Sequence, residues 1–159
     1  MLRWLWLSLI VVVLDQISKQ LVENSLLVFE TIPLLPFLNL TLVYNEGAAF
    51  SFLSDQGGWQ RWLFVVLAAT VTLVLIFWLQ RLQRTDRWLA LALSLIIGGA
   101  VGNLLDRLIF GHVIDFIDLY YNQWHWPAFN IADSAISVGV VLILIDAFFG
   151  HREESERIV

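Results

Sequence analysis

Apolar and polar positions divide the chain into four long hydrophobic stretches separated by mixed ones. The first runs without a break from Trp4 to Leu14 and continues through DQISKQLV to Val22. That is about the 20 residues a membrane-spanning helix needs. Arg3 ahead of it gives the look of a secretory signal core, but no small-x-small cleavage pattern follows, so a retained helix over 4–22 is expected. Three further spanning helices are expected over 59–80, 88–108 and 131–149. Trp59 and Trp62 suit the membrane interface, and Gly98-Gly99-Ala100-Val101-Gly102 offers a small-residue surface for close helix approach.

Two intervening stretches, 23–58 and 109–130, are too polar and broken to span. Pro33 and Pro36 punctuate the first, and FLNLTLVYN after them alternates with the period of a strand. Asn45-Glu46-Gly47 and Ser54-Asp55-Gln56-Gly57-Gly58 read as turns. A small sheet at the membrane surface is expected there. Trp124 and Trp126 in the second stretch suit an interface. The expected fold is an all-α membrane protein, one domain over 1–159, with four transmembrane helices and a small extracytoplasmic β-sheet.

Composition supports this class. The 159 residues are 59% hydrophobic and 14% charged, against about 25% charged in soluble domains. Nine basic residues without a patch argue against nucleic-acid binding. With no cysteine, disulfides, thiolate metal sites and a cysteine nucleophile are excluded. His112, His125 and His151 are scattered, and HExxH, P-loop and GxSxG patterns are absent, so no metal or cofactor is expected. Arg3, Arg81, Arg84, Arg87, Arg152 and Arg157 fall on one side of the expected topology. The positive-inside rule then puts both termini in the cytoplasm and both longer loops outside.

Carboxylates remain as the candidate chemistry. Asp133 opens the last apolar stretch, and an ionisable group so placed is a functional candidate by default. Two carboxylates sharing a proton can hydrolyse an amide, one taking a proton from water and the other protonating the leaving nitrogen. Spacing leaves Asp106, Asp115 and Asp118 all open as the second member. Asp15 and Lys19, at i and i+4, form the favourable helical pairing. They are either an ion pair that lets a polar turn survive, with Lys19 snorkelling outward, or a support for the site. Asp146, near the other end of the last helix, reads as an interfacial residue. A serine peptidase is poorly supported: Ser18 and Lys19 are sequence neighbours, which on a helix do not face each other, and Ser134 with His125 needs the chain to fold back. A small transporter or assembly subunit is the non-enzymatic alternative, but no internal repeat supports it.

Five boxes carry a resemblance: DQISK from Asp15, NEGAAFSF from Asn45, GGAVGNLLDR from Gly98, VIDF from Val113 and FNIADSAI from Phe129. In this order, with four helices, the chain resembles the bacterial lipoprotein signal peptidases (signal peptidase II). The resemblance implies an aspartyl intramembrane peptidase of the bacterial inner membrane, without cofactor, with Asp115 and Asp133 as the catalytic pair. It implies diacylglyceryl-modified prolipoproteins as substrates, cut just before the lipid-bearing cysteine, and inhibition by globomycin. Asn45, Gly47, Asn103, Arg107 and Asn130 match site-lining positions, with Asn45 and Arg107 as expected donors to the substrate backbone and Asn130 as a partner of the pair or a helix cap. Asp15, Lys19 and Asp106 match structural positions. The strands and the turn at Gly47 are expected to form a cradle and a movable flap, and a monomer in contact with membrane lipid is expected.

Overall fold

A computed structural model of the chain describes residues 1–47 and 59–149. After a 3-10 turn at Leu2–Trp4, helix α1 covers Leu5–Glu23, strand β1 Thr31–Leu35 and strand β2 Leu38–Asn45. Helices α2 (Trp59–Arg81) and α3 (Arg87–Ile109), strands β3 (Val113–Tyr121) and β4 (Trp124–His125), and helix α4 (Ile131–Phe149) complete the order. All four helices are long and apolar enough to cross a membrane.

Helix α3 is the hub. It packs against α1, α2 and α4 and is the most deeply buried of the four. Its glycines explain how. A Cβ at Gly98 would lie 2.8 Å from the Ser8 carbonyl oxygen of α1, and one at Gly99 would collide with the Ala132 carbonyl of α4. One at Gly102 would lie 2.6 Å from an Asp15 carboxylate oxygen. The small-residue face therefore admits two helices and a buried acid. Away from α3 the helices turn apolar side chains outward, among them Trp6, Leu21, Val66, Leu73, Val141 and Leu144. Apolar side chains suit a face turned to lipid, and the helix satisfies its own backbone groups there.

The four strands form one antiparallel run in the order β1-β2-β3-β4. Strand β2 comes from the first intervening stretch and β3 from the second, so their pairing joins the two. The alternating FLNLTLVYN pattern supplies β2. Pro33 sits in β1, an edge strand, where its missing N–H is tolerated. The β2–β3 register shifts between Leu40 and Val43, and such bulges re-aim neighbouring side chains. One face of the sheet seals onto the end of α1 through Val22, Leu26, Leu42, Ile114 and Phe116. The Phe129 carbonyl then accepts the Phe116 and Ile117 amides at 3.0 and 2.8 Å, and its own N–H returns to the Ile117 carbonyl at 3.0 Å. This bridge fixes where α4 starts relative to β3.

Candidate active site

The start of α4 is set by a reciprocal cap. The Asp133 amide donates to Asn130 Oδ1 at 2.9 Å, and the Asn130 amide donates to Asp133 Oδ2 at 3.3 Å. This is the logic of a capping box, which satisfies helix N–H groups otherwise left without partners. The Ala132 amide, also in the first turn, donates to Asp15 Oδ1 of α1 at 2.9 Å. Two acids thus serve one helix start, one from within and one from across the protein.

Asn130 also reaches the other strand. Its Nδ2 donates to Asp115 Oδ1 at 2.7 Å and lies 3.2 Å from the Ile114 carbonyl. The same residue therefore touches both Asp115 and Asp133. Asn45 Nδ2 holds the other Asp115 oxygen at 2.9 Å, while its own Oδ1 accepts the Gly47 amide at 2.9 Å. That Asx turn needs Gly47 at φ +97°, a conformation glycine adopts freely. Asn45, expected to donate to a substrate backbone, is here engaged with Asp115.

Asn103 on α3 completes the frame. Its Nδ2 donates to Asp133 Oδ1 at 2.7 Å. Its Oδ1 accepts from Lys19 Nζ at 3.0 Å and from Asn130 Nδ2 at 3.2 Å. Lysine can only donate, so these partners fix which end of the amide faces Asp133. Lys19 does not snorkel outward. It is 1% exposed and lies 2.7 Å from Asp15 and 2.8 Å from Asp106, because three acceptors on α1 and α3 await its three hydrogens inside the bundle. Gln16, not singled out from the sequence, donates to Asp106 Oδ1 at 2.7 Å. It lies inside the DQISK box, one position after Asp15, and that adjacency was the available signal.

The other two acids left open by spacing are committed elsewhere. Asp106 belongs to the Lys19 cluster and also accepts the Ile114 amide at 3.3 Å. Asp118 lies an odd number of residues from Asp115, so it points to the opposite face of β3. There it takes Asn39 Nδ2 at 2.7 Å and His125 Nδ1 at 2.9 Å. Arg107 Nη1 donates to the Asn103 carbonyl at 3.3 Å and the guanidinium lies 5.2 Å from the Phe64 ring. Its charge is within electrostatic reach of Asp133, Asp115 and Asp106, and its buried Nε has no partner among the described residues.

Asp115 is 2% exposed. Burial pushes its carboxyl up to about 7; the Asn45 amide opposes this, the Asp133 charge adds to it, and Asn130 and Lys19 oppose it. A carboxyl near neutrality can hold or release a proton at working pH. Each acid also borders a cavity of its own. Asp115 meets one beside Val43, Tyr44 and Pro127, and Asp133 meets one beside Phe129, Ser137 and Val138. The turn at Ser54-Asp55-Gln56-Gly57-Gly58, the rest of the NEGAAFSF box and most of the expected flap lie outside the described residues.

Comparison with known proteins matches the chain to one family. Residues 7–149 fit the family model described as Signal peptidase (SPase) II. A "Lipoprotein signal peptidase" of Pseudomonas syringae pv. tomato is 54% identical over 92% of this chain and 86% of its own length. One of Alteromonas mediterranea is 50% identical over 98% of this chain and 86% of its own. A solved structure described as a "Bacterial membrane enzyme structure by the in meso method at 2.3 A resolution" superposes with a TM-score of 0.84 at 29% identity, covering 96% of this chain and 92% of that one. Four membrane-length helices, two acids gathered by one asparagine and a match running nearly end to end agree: the chain belongs to the signal peptidase II family and is an aspartic peptidase of the membrane.

Proposed function

We propose that the protein removes the signal peptide from diacylglyceryl-modified prolipoproteins, cutting just before the lipid-bearing cysteine, with Asp115 and Asp133 as the catalytic pair. The observation that carries this reading is the double contact of Asn130, which reaches Asp115 through its side chain and Asp133 through its backbone amide. The relatives' printed name, lipoprotein signal peptidase, supports the substrate class.

In this mechanism Asp115 begins protonated and Asp133 ionised. Asp133 takes a proton from the attacking water as its oxygen bonds to the scissile carbonyl carbon. Asp115 gives its proton to the carbonyl oxygen, producing a neutral tetrahedral diol. The C–N bond then breaks, the nitrogen takes the proton held by Asp133, and Asp115 recovers its proton from the diol hydroxyl as the carboxylic acid product forms. No covalent intermediate arises. Asn45, Asn103 and Asn130 hold the carboxylates, Gly47 holds Asn45, and Arg107 supplies positive charge beside the pair.

The distribution of arginines supports cytoplasmic termini and a site facing the outer leaflet of the inner membrane. That is the depth at which a lipid-modified cysteine sits. A single domain acting as a monomer suffices, since both acids and their partners come from one chain.

The test is the purified protein with a synthetic diacylglyceryl-modified lipobox peptide, the products read by mass spectrometry. Cleavage on the amino side of the modified cysteine, blocked by globomycin, is expected. Cleavage elsewhere, or equal cleavage of the unmodified peptide, would overturn the substrate assignment.

A further inference from the structure

The buried cluster of Asp15, Lys19 and Asp106 contains more than a helix-packing ion pair requires. One acid would neutralise Lys19, and two are present at 2.7 and 2.8 Å. The third hydrogen of the ammonium goes to neither acid but to Asn103 Oδ1, at 3.0 Å. The opposite end of that amide donates to Asp133 at 2.7 Å. A continuous line of hydrogen bonds therefore runs from Lys19 on α1, through Asn103 on α3, to Asp133 on α4.

From this geometry we infer that Lys19 is a positioning residue for the reaction, fixing the Asn103 carboxamide so that its donor end stays on Asp133. The inference rests on the function proposed above. An amide has two ends of similar shape and opposite polarity. If Asn103 turned over, its oxygen would face the Asp133 carboxylate and repel it. Asn130 Nδ2 also reaches Asn103 Oδ1, at 3.2 Å, but it shares its hydrogens with Asp115 and the Ile114 carbonyl. Lys19 offers a charged donor, which makes the stronger bond. Asp15 and Asp106 flank the ammonium and hold it at the amide, while Gln16 Nε2 pins Asp106 at 2.7 Å. The cluster thus serves two ends: Asp15 caps α4 at Ala132, and Lys19 orients the amide that holds Asp133.

The experiment is a double-mutant cycle on cleavage of the diacylglyceryl-modified peptide in micelles, using Lys19→Met, Asn103→Ala and the two combined. Lys19→Met should lower kcat about a hundredfold, the scale on which small misplacements act, with KM changed by less than about twofold. The combined variant should be no slower than Asn103→Ala alone, and Lys19→Arg should recover part of the loss. Since Lys19→Met strands two buried acids, a variant that also carries Asp15→Asn and Asp106→Asn keeps the packing without the charges. It should remain slow. A triple variant as fast as the native enzyme, or additive losses in the cycle, would reduce Lys19 to a packing role and overturn the inference. Native enzyme that fails to cleave the peptide at all would instead remove the proposed function.

Discussion

Two groups of acids lie within one network and differ in what surrounds them. Asp15 and Asp106 face an ammonium, in a cluster with no cavity beside it among the described cavities. Asp115 and Asp133 are hydrogen-bonded to neutral amides, with the Arg107 charge further off, and each borders a cavity. An ammonium at under 3 Å gives each of the first two acids a direct counter-charge. Amides steady a carboxylate without bringing a full charge of their own. Burying a carboxylate is therefore not enough to make it chemical. In the proposed mechanism the first group is scaffold and the second reagent, and Asn103, bonded to Lys19 at one end and Asp133 at the other, joins them.

The comparison breaks most directly at the pair. Asp115→Asn or Asp133→Asn should each cut turnover of the modified peptide by at least about a thousandfold, as loss of a general acid or base does. Folding should be retained, because the shape of each side chain is preserved. Near-native turnover in either variant, in an initial-rate assay, would dissolve the distinction between the two groups.

The opposite pattern is expected in the cluster. Lys19→Met leaves two acids without a counter-charge, and breaking a buried pair in this way costs about 3–5 kcal/mol. A thermal melt in detergent should show that loss for Lys19→Met and little change for Asp115→Asn. Equal melting of the two would mean that the ammonium is not what holds the scaffold.

The pH dependence gives the smallest and most discriminating effect. Asp115 titrates near 7 in the fold against 3.8 for an ordinary aspartate. Between those values the folded state binds more protons than the unfolded one, so this group's contribution to stability falls as pH rises. Asp115→Asn should flatten that slope. In the native enzyme kcat/KM should fall as pH rises through about 7, because the proton donor is lost. A rate that holds level well above neutrality would assign the donor role elsewhere.

Much of the fold is legible in the residue order, for reasons that differ by element. The helices announce themselves because about 20 apolar residues in lipid have few other solutions. Strand β2 shows through its alternation, since one face packs on α1 and the other does not. Strand β3 escaped notice because most of it is buried on both faces, so VIDFIDLYY carries acids on each and shows no alternation. Strand β1 is short and holds a proline.

The site was half legible. Spacing could mark Asp133 as unusual but left Asp106, Asp115 and Asp118 open, because helical and strand periods give a direction without naming a partner. What separates them is tertiary: Lys19 claims Asp106, Asn39 and His125 claim Asp118, and Asn130 reaches Asp115. The turn at Gly47 was readable as a turn, but its function of aiming Asn45 was not.

The bond from the Ala132 amide to Asp15 has a consequence for biosynthesis. The acceptor precedes its donor by 117 residues, so Asp15 is made well before the amide it caps. Until α4 arrives, that acceptor stands open, Asp133 does not yet exist, and Asn45 waits on a strand whose partner β3 is also late. The polar contacts around Asp133 can therefore close only after α4 has been made and packed against α1 and α3.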